Sequence, residues 1–268
     1  QPENYESVLS VVNSVKPDEI YNLAGQSSVR LSYEQPVVTT RGIVLGNLNF
    51  LEVIRTSAST ARYFSAGSSE CFGDSEGVPA SEKTVFCPVS PYGAAKAAAF
   101  SQVKIYRDVY GIFACTGILF NHESPLRPSH FVTKKIVETA CRIMKGSNEI
   151  LNLGNTTIVR DWGWAPEYVE AMWMMLNRNE AEDFVIATGV GQTLQAFVES
   201  VFWRLGLDPR NQVKSGVNGL RKNEAVIIEA DISKAQSVLG WCALTSGAAV
   251  AEKLVDAELT ALDSGGTS

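Results

Sequence analysis

The sequence predicts an α/β fold, a doubly wound parallel sheet carrying a smaller α/β lobe. Three observations predict it. Helix-like and strand-like segments alternate along most of the 268 residues. Phe113–Phe120 is apolar almost throughout, as strands covered on both faces are. Two further strand-like segments, Glu19–Leu23 and Arg62–Ala66, each run into a turn of small and polar residues, and strand ends of that kind are where open parallel sheets hold ligands.

Taken in order, Val8, Val11, Val12 and Val15 recur at helical spacing and predict a helix over Tyr5–Val15. Strand Glu19–Leu23 follows, then a helix over Val38–Arg55 with Leu45, Leu48, Leu51 and Ile54 on one face. After strand Arg62–Ala66 comes a long loop. Ser90 is a helix cap, Pro91 suits a first turn, and the Ala-rich run Ala94–Phe100 continues that helix to Val109. Strand Phe113–Phe120 leads to a helix over Phe131–Lys145, strand Ile150–Leu153, helix Pro166–Leu176 and strand Phe184–Ala187. Thr193 caps a helix to Leu205. A strand near Ala225–Ile228 and helices Ile232–Leu239 and Ala248–Leu262 complete the pattern. The expected division is residues 1–122 with parts of 150–190 for the sheet domain, 123–149 with 190–262 for the lobe, and 263–268 as a tail.

Composition narrows the functions. The net charge of −6 argues against a nucleic-acid surface. No apolar run reads as a membrane span, and a cytoplasmic location is expected. The five cysteines are scattered without a CxxC or Cys/His cluster, so neither a zinc site nor a disulfide framework is expected, and no metal ligand is assigned.

Tyr92 and Lys96 form a YxxxK pair whose spacing puts phenol and ammonium on one helix face. A Lys cation beside a phenol favours the phenolate, which can act as a base. An ordinary surface Tyr and Lys is the plainer alternative. The neighbouring turn Ser68-Ser69-Glu70 adds hydroxyls and a carboxylate at the same sheet edge.

The stretches PDEIYNLAGQSSV from Pro17, SAGSSECFG from Ser65, SPYGAAK from Ser90, GILFNHESP from Gly117, FVTKKI from Phe131, RDWGWAPEYVEAMWMML from Arg160 and EDFVIATG from Glu182 carry a resemblance. With them the chain resembles the extended short-chain dehydrogenase/reductases, Rossmann-type enzymes, and among those the GDP-mannose 4,6-dehydratases. The resemblance implies a lyase that oxidises the sugar at C4, removes water across C5–C6 and reduces C6, using one bound NADP, with NAD as the second choice. It implies Tyr92 as base for the C4 hydroxyl, Lys96 as the group that lowers its pKa and holds the nicotinamide ribose, Ser68 as a hydrogen-bonding hydroxyl, and Glu70 as base for the C5 proton. The cofactor turn maps to Leu23, Ala24, Gly25, Gln26 and Ser27, with Tyr92, Lys96, His122 and Arg127 also beside the cofactor. The nucleotide sugar falls to Ser69, Asn121, Lys135, Arg160, Arg221 and Glu224. His122 as a core histidine and an Arg160–Asp161 ion pair are the plain alternatives at those positions.

Several positions depart from the family pattern. Val38 stands where a cofactor-side tyrosine is usual, Gly25 replaces Ala, Leu126 replaces Arg, Pro128 replaces Gly, and Lys222 stands in a spacer that usually has Pro. No Gly-rich turn follows an early strand, so the sequence reads as a fragment of a longer protein. The resemblance further implies a homo-oligomer, dimer or tetramer, with the helices over Val38–Arg55 and Pro91–Val109 at the dimer face. Two other readings stay open: a sister epimerase, reductase or decarboxylase acting on another nucleotide sugar, and a pseudoenzyme that cannot hold the cofactor.

Overall fold

A computed structural model describes residues 1–57, 59–216 and 225–264. In chain order the elements are α1 Tyr5–Val15, β1 Glu19–Asn22, α2 Val29–Glu34, α3 Pro36–Thr40, α4 Gly46–Thr56, β2 Arg62–Ala66, α5 Pro91–Tyr110, β3 Ala114–Leu119, β4 Asn121–Glu123, α6 Val132–Met144, β5 Leu151–Asn152, β6 Val159–Trp164, α7 Ala165–Leu176, β7 Phe184–Ile186, β8 Gly191–Thr193, α8 Leu194–Arg204, β9 Val213–Lys214 and α9 Ala248–Ser264.

Four strands form a parallel sheet in the order β1-β2-β3-β7. Successive strand residues face opposite sides. Tyr63 therefore packs with Leu51, Ile54 and Val103 of α4 and α5, while its neighbour Phe64 packs with Tyr168, Met172 and Met175 of α7. Helices thus cover both faces, as the doubly wound reading requires. β4 pairs parallel with β6 and β6 antiparallel with β8, and β5 pairs with β9. A separate core joins α6, α8 and α9 through Ile136, Ala140, Phe197, Val201, Leu254 and Val255. Each of the larger ones, fully buried, contributes about 1.5–3 kcal/mol.

The cap predictions hold. Ser90 Oγ accepts from Gly93 N at 3.0 Å with Pro91 in the first turn, and Gly111 ends α5 in the left-handed region. Thr193 Oγ1 accepts from Ala196 N at 3.1 Å.

Several expectations need correction. The helix over Val38–Arg55 is instead α3, a π-helical turn at Arg41–Leu45, and α4. A π turn preserves the apolar pattern while adding a residue, so periodicity does not reveal it. That continuous stretch, Pro36–Thr56, is also long and apolar enough by composition to cross a bilayer, contrary to expectation. It lies against the core, where Asn47 and Asn49 are buried. The strand expected near Ala225–Ile228 is only a bridge of Ile227 to Val159. Side chains occupy its ladder groups: Asp74 accepts from Val226 N, and Arg160 donates to the carbonyls of Ala225 and Val226. The helix expected over Ile232–Leu239 forms over 233–239, but its last five residues make a π turn at Ala235–Leu239, closed by Gly240. Finally, α9 takes in Asp263 and Ser264 of the expected tail, whose residues 265–268 lie outside the described ones.

Candidate active site

Close backbone approaches assemble the site. β2 ends at Ala66, and Gly67 N donates to Gly117 O at 2.8 Å. A Cβ on Gly67 would fall 2.9 Å from Gly117 O, so only glycine fits there. The chain then makes a 3-10 turn at Ser69–Cys71, with Ser68 Oγ accepting from Glu70 N at 3.3 Å. Gly93, in the first turn of α5, packs so closely that a Cβ would lie 2.4 Å from Glu70 O. These two contacts bring the Ser68–Glu70 turn onto the helix that presents Tyr92 and Lys96.

Ser68, Ser69, Tyr92 and Lys96 are all buried, and Glu70 is half-buried. Burial pushes the Tyr92 phenol above its ordinary range. The Ser68 hydroxyl, hydrogen-bonded to it, pulls it down; Glu70 and Cys71 push it up, and Arg127 pulls it down. Lys96 Nζ donates to Ala66 O at 2.7 Å and sits 5.8 Å from the Tyr92 ring centre. Burial pushes the Lys96 ammonium down to about 8. An ammonium has three protons to donate, and Ala66 O takes one.

The turn Leu23–Ser27 lies at the C-terminal end of β1. Gln26 donates to Thr39 Oγ1 at 2.7 Å and accepts from Ser28 N at 2.8 Å, which ties the turn to α3. Gly25 has φ +105, and a Cβ there would meet Ile43 Cγ1 at 2.7 Å. Ile43 belongs to the π turn and packs in one cluster with Tyr92 and Ala95. The usual alanine would clash, so the Gly25 departure is matched by the π turn behind it. Val38 is exposed on α3.

His122 is held through Nδ1, which meets Phe120 O at 2.8 Å, and its ring stacks on Tyr168 at 4.7 Å. Burial lowers its pKa, so the neutral ring is favoured. Arg127 stacks over Phe131 at 3.8 Å, with Nε 3.3 Å from Glu123 Oε2. Asn121 opens β4 opposite Trp162, and Lys135 Nζ donates to Asn152 O at 2.8 Å. Arg160 is buried and its guanidinium donates to the carbonyls of Val159, Ala225 and Val226. The alternative pairing with Asp161 does not form: that carboxylate accepts from Thr188 N at 3.0 Å and Gly189 N at 2.7 Å. Arg221 and Glu224 lie outside the described residues.

Sequence reasoning assigned no role to Ile43, Asn47 or Glu123. Asn47 Oδ1 accepts from Tyr63 OH and Ser65 Oγ, and its Nδ2 donates to Gln102. This buried network braces β2 against α4 and α5 just behind Ala66. For Glu123 a signal was present, a carboxylate four residues before Arg127. Among the described residues no group of His, Cys, Asp and Glu is placed to hold a metal. A crevice of about 300 Å³ lined by Glu82, Lys104, Arg107, Glu182, Asp183 and Lys234 shares no residue with this site, and its charges are largely paired with one another.

The family model described as GDP-mannose 4,6 dehydratase matches residues 2–254. The chain belongs to the GDP-mannose 4,6-dehydratase family. It is 44% identical over 252 residues to GDP-mannose 4,6 dehydratase 2 of Arabidopsis thaliana, covering 92% of this chain and 67% of that protein. In fold it matches RMD of Pseudomonas aeruginosa, solved in complex with NADPH, with a TM-score of 0.88 at 19% identity, over 97% of this chain and 87% of that one. It also matches DesIV of Streptomyces venezuelae, a dTDP-glucose 4,6-dehydratase solved with NAD and TYD bound, with a TM-score of 0.87 at 20% identity, over 97% and 78% of the two chains.

Proposed function

We propose that this family member is a lyase that converts GDP-mannose to GDP-4-keto-6-deoxymannose with NADP as its cofactor. The observation that carries the reading is the contact of Glu70 O with Gly93, which sets a carboxylate beside the phenol of Tyr92 and the Ser68 hydroxyl. One base is needed for a hydroxyl and a second for a carbon acid, and the two stand on one sheet edge.

A bound nicotinamide supplies the place where the C4 hydride goes and from which it returns to C6. The residues fit such a group: Lys96 keeps donors beyond the one given to Ala66 O, and the Leu23–Ser27 turn offers backbone without bulky side chains at Gly25 and Ser27. Tyr92 takes the proton of the C4 hydroxyl while Ser68 holds that oxygen. Burial alone keeps the phenol protonated, so the proton leaves Tyr92 only as neighbouring groups favour the phenolate. Glu70 removes the C5 proton, acidified by the C4 ketone, and passes that proton to the C6 hydroxyl, which leaves as water. His122, neutral and fixed through Nδ1, and Arg127 lie on the cofactor side. Ser69, Asn121, Lys135, Arg160, Arg221 and Glu224 are assigned to the nucleotide sugar.

Within this reading, residues 1–122 with parts of 150–190 form the cofactor domain, and 123–149 with 190–262 form the substrate lobe. A cytoplasmic homo-oligomer is proposed, joined through the helical stretch ending in α4 and through α5, where Leu45 of the π turn and Ile105, Val109 and Tyr110 of α5 are exposed. Glu70→Gln separates the two bases. The expected result is accumulation of a 4-keto sugar with NADPH formed and no water lost. Unchanged water loss in that variant removes Glu70 from the mechanism.

A further inference from the structure

Glu123, the last residue of β4, has no part in the chemistry above, yet it is one of the most deeply buried carboxylates described, with 1% exposure. Burial pushes its pKa up, and Arg127 and Thr133 pull it down. Its Oε2 accepts from Thr133 Oγ1, in the first turn of α6, at 2.8 Å. The same oxygen lies 3.3 Å from Arg127 Nε. Arg127 Nε is buried and meets no acceptor in hydrogen-bond geometry among the described residues, so the ion pair with Glu123 is what holds that edge of the guanidinium. The flat face is held separately, 3.8 Å over the Phe131 ring, and Arg127 N donates to Ser124 O at 3.0 Å to close the turn between them. An ion pair at one edge and a ring against one face leave a planar guanidinium little rotational freedom. Its charge reaches Tyr92, whose pKa it pulls down.

We infer that Glu123 is a positioning residue: it fixes Arg127 relative to Tyr92, and through Arg127 it sets the cofactor side of the site. What Arg127 touches rests on the function proposed above; how Arg127 is held does not. A carboxylate buried only for stability would grip Thr133 and leave the arginine indifferent to it.

Glu123→Gln keeps the shape and removes the charge. In the free chain, nuclear magnetic resonance reads the Arg127 Nε–H signal, identified by its loss in Arg127→Lys. In Glu123→Gln that signal is expected to move and to exchange with water faster. NADPH binding, read by fluorescence, is expected to weaken by about ten- to a hundredfold in Glu123→Gln and in Arg127→Ala, as for loss of a charged contact. The double variant is expected to be no weaker than the single ones, because both remove one device. Thr133→Val, which removes the other partner of the carboxylate, is expected to lower the melting temperature and leave NADPH affinity within about twofold. Should Glu123→Gln fail to fold, Glu123→Asp keeps the charge but withdraws it from Nε, and the same signal is read there. An Arg127 signal unmoved in these variants overturns the proposal, as do losses that multiply in the double variant or an equal loss in Thr133→Val. If the unaltered chain binds no NADPH, the cofactor assignment fails on its own, and the Nε–H signal still decides whether Glu123 holds Arg127.

Discussion

Lys96 in α5 and Arg160 in β6 are both cations with 8% exposure, and they use their hydrogen bonds differently. Arg160 directs its guanidinium to the carbonyls of Val159, Ala225 and Val226. Lys96 gives one proton to Ala66 O and is pushed down to about 8 by its burial. Buried charges satisfied by backbone build the architecture, whereas a buried charge with donor capacity left over faces chemistry.

The largest expected effect breaks the assembly itself. Gly93→Ala puts a Cβ 2.4 Å from Glu70 O and is expected to cost more than about 3 kcal/mol. Gly42→Ala, whose Cβ would meet only Gly25 Cα at 3.8 Å, is expected to gain about 0.5–1 kcal/mol. Chemical denaturation of both variants checks the pair, and equal losses would mean that the turn and helix are not in contact.

Next, the two cations predict opposite signs. Arg160→Met strands buried carbonyls and is expected to destabilise by about 2–4 kcal/mol. Lys96→Met at pH 7 removes a charge that is costly to bury and is expected to stabilise, by something on the order of 3 kcal/mol at most. The pH dependence sharpens this. With a folded value of about 8 against an ordinary 10.5, the penalty is fully present below pH 8. Between the two values the unfolded chain keeps a proton that the folded chain has lost, so stability rises with pH, and above 10.5 the penalty is gone. The advantage of Lys96→Met should therefore shrink across that window. An advantage independent of pH would contradict a charged, buried Lys96.

The smallest effect concerns thiols. Burial pushes Cys71 up to about 12, while Cys87 and Cys242 are exposed. Brief alkylation at pH 8 is expected to label Cys87 and Cys242 and spare Cys71. Labelling of Cys71 would mean that the turn beside Glu70 opens.

Much of this was legible because it is local. Arg62–Ala66 was read to the residue as a strand running into a polar turn, and Ser90 and Thr193 were read as caps from their place before periodic segments. The Tyr92/Lys96 spacing and the Ser68–Glu70 turn each fit within one element. What escaped depends on contacts distant in sequence. β6 contains a buried Arg and Asp, so it shows neither an apolar run nor alternation, and its arginine is matched by carbonyls 65 and 66 residues away. The π turn at Arg41–Leu45 shows its purpose only once Ile43 is seen against Gly25. The Tyr92/Lys96 spacing likewise cannot reveal that the ammonium turns to Ala66 O.

The most direct measurement is the mass of GDP-mannose after incubation with this chain and NADP. The account predicts a product lighter by one water, formed by the unaltered chain and not by Glu70→Gln or Tyr92→Phe. An unchanged mass with the cofactor bound, or a product of unchanged mass but altered stereochemistry, would contradict it.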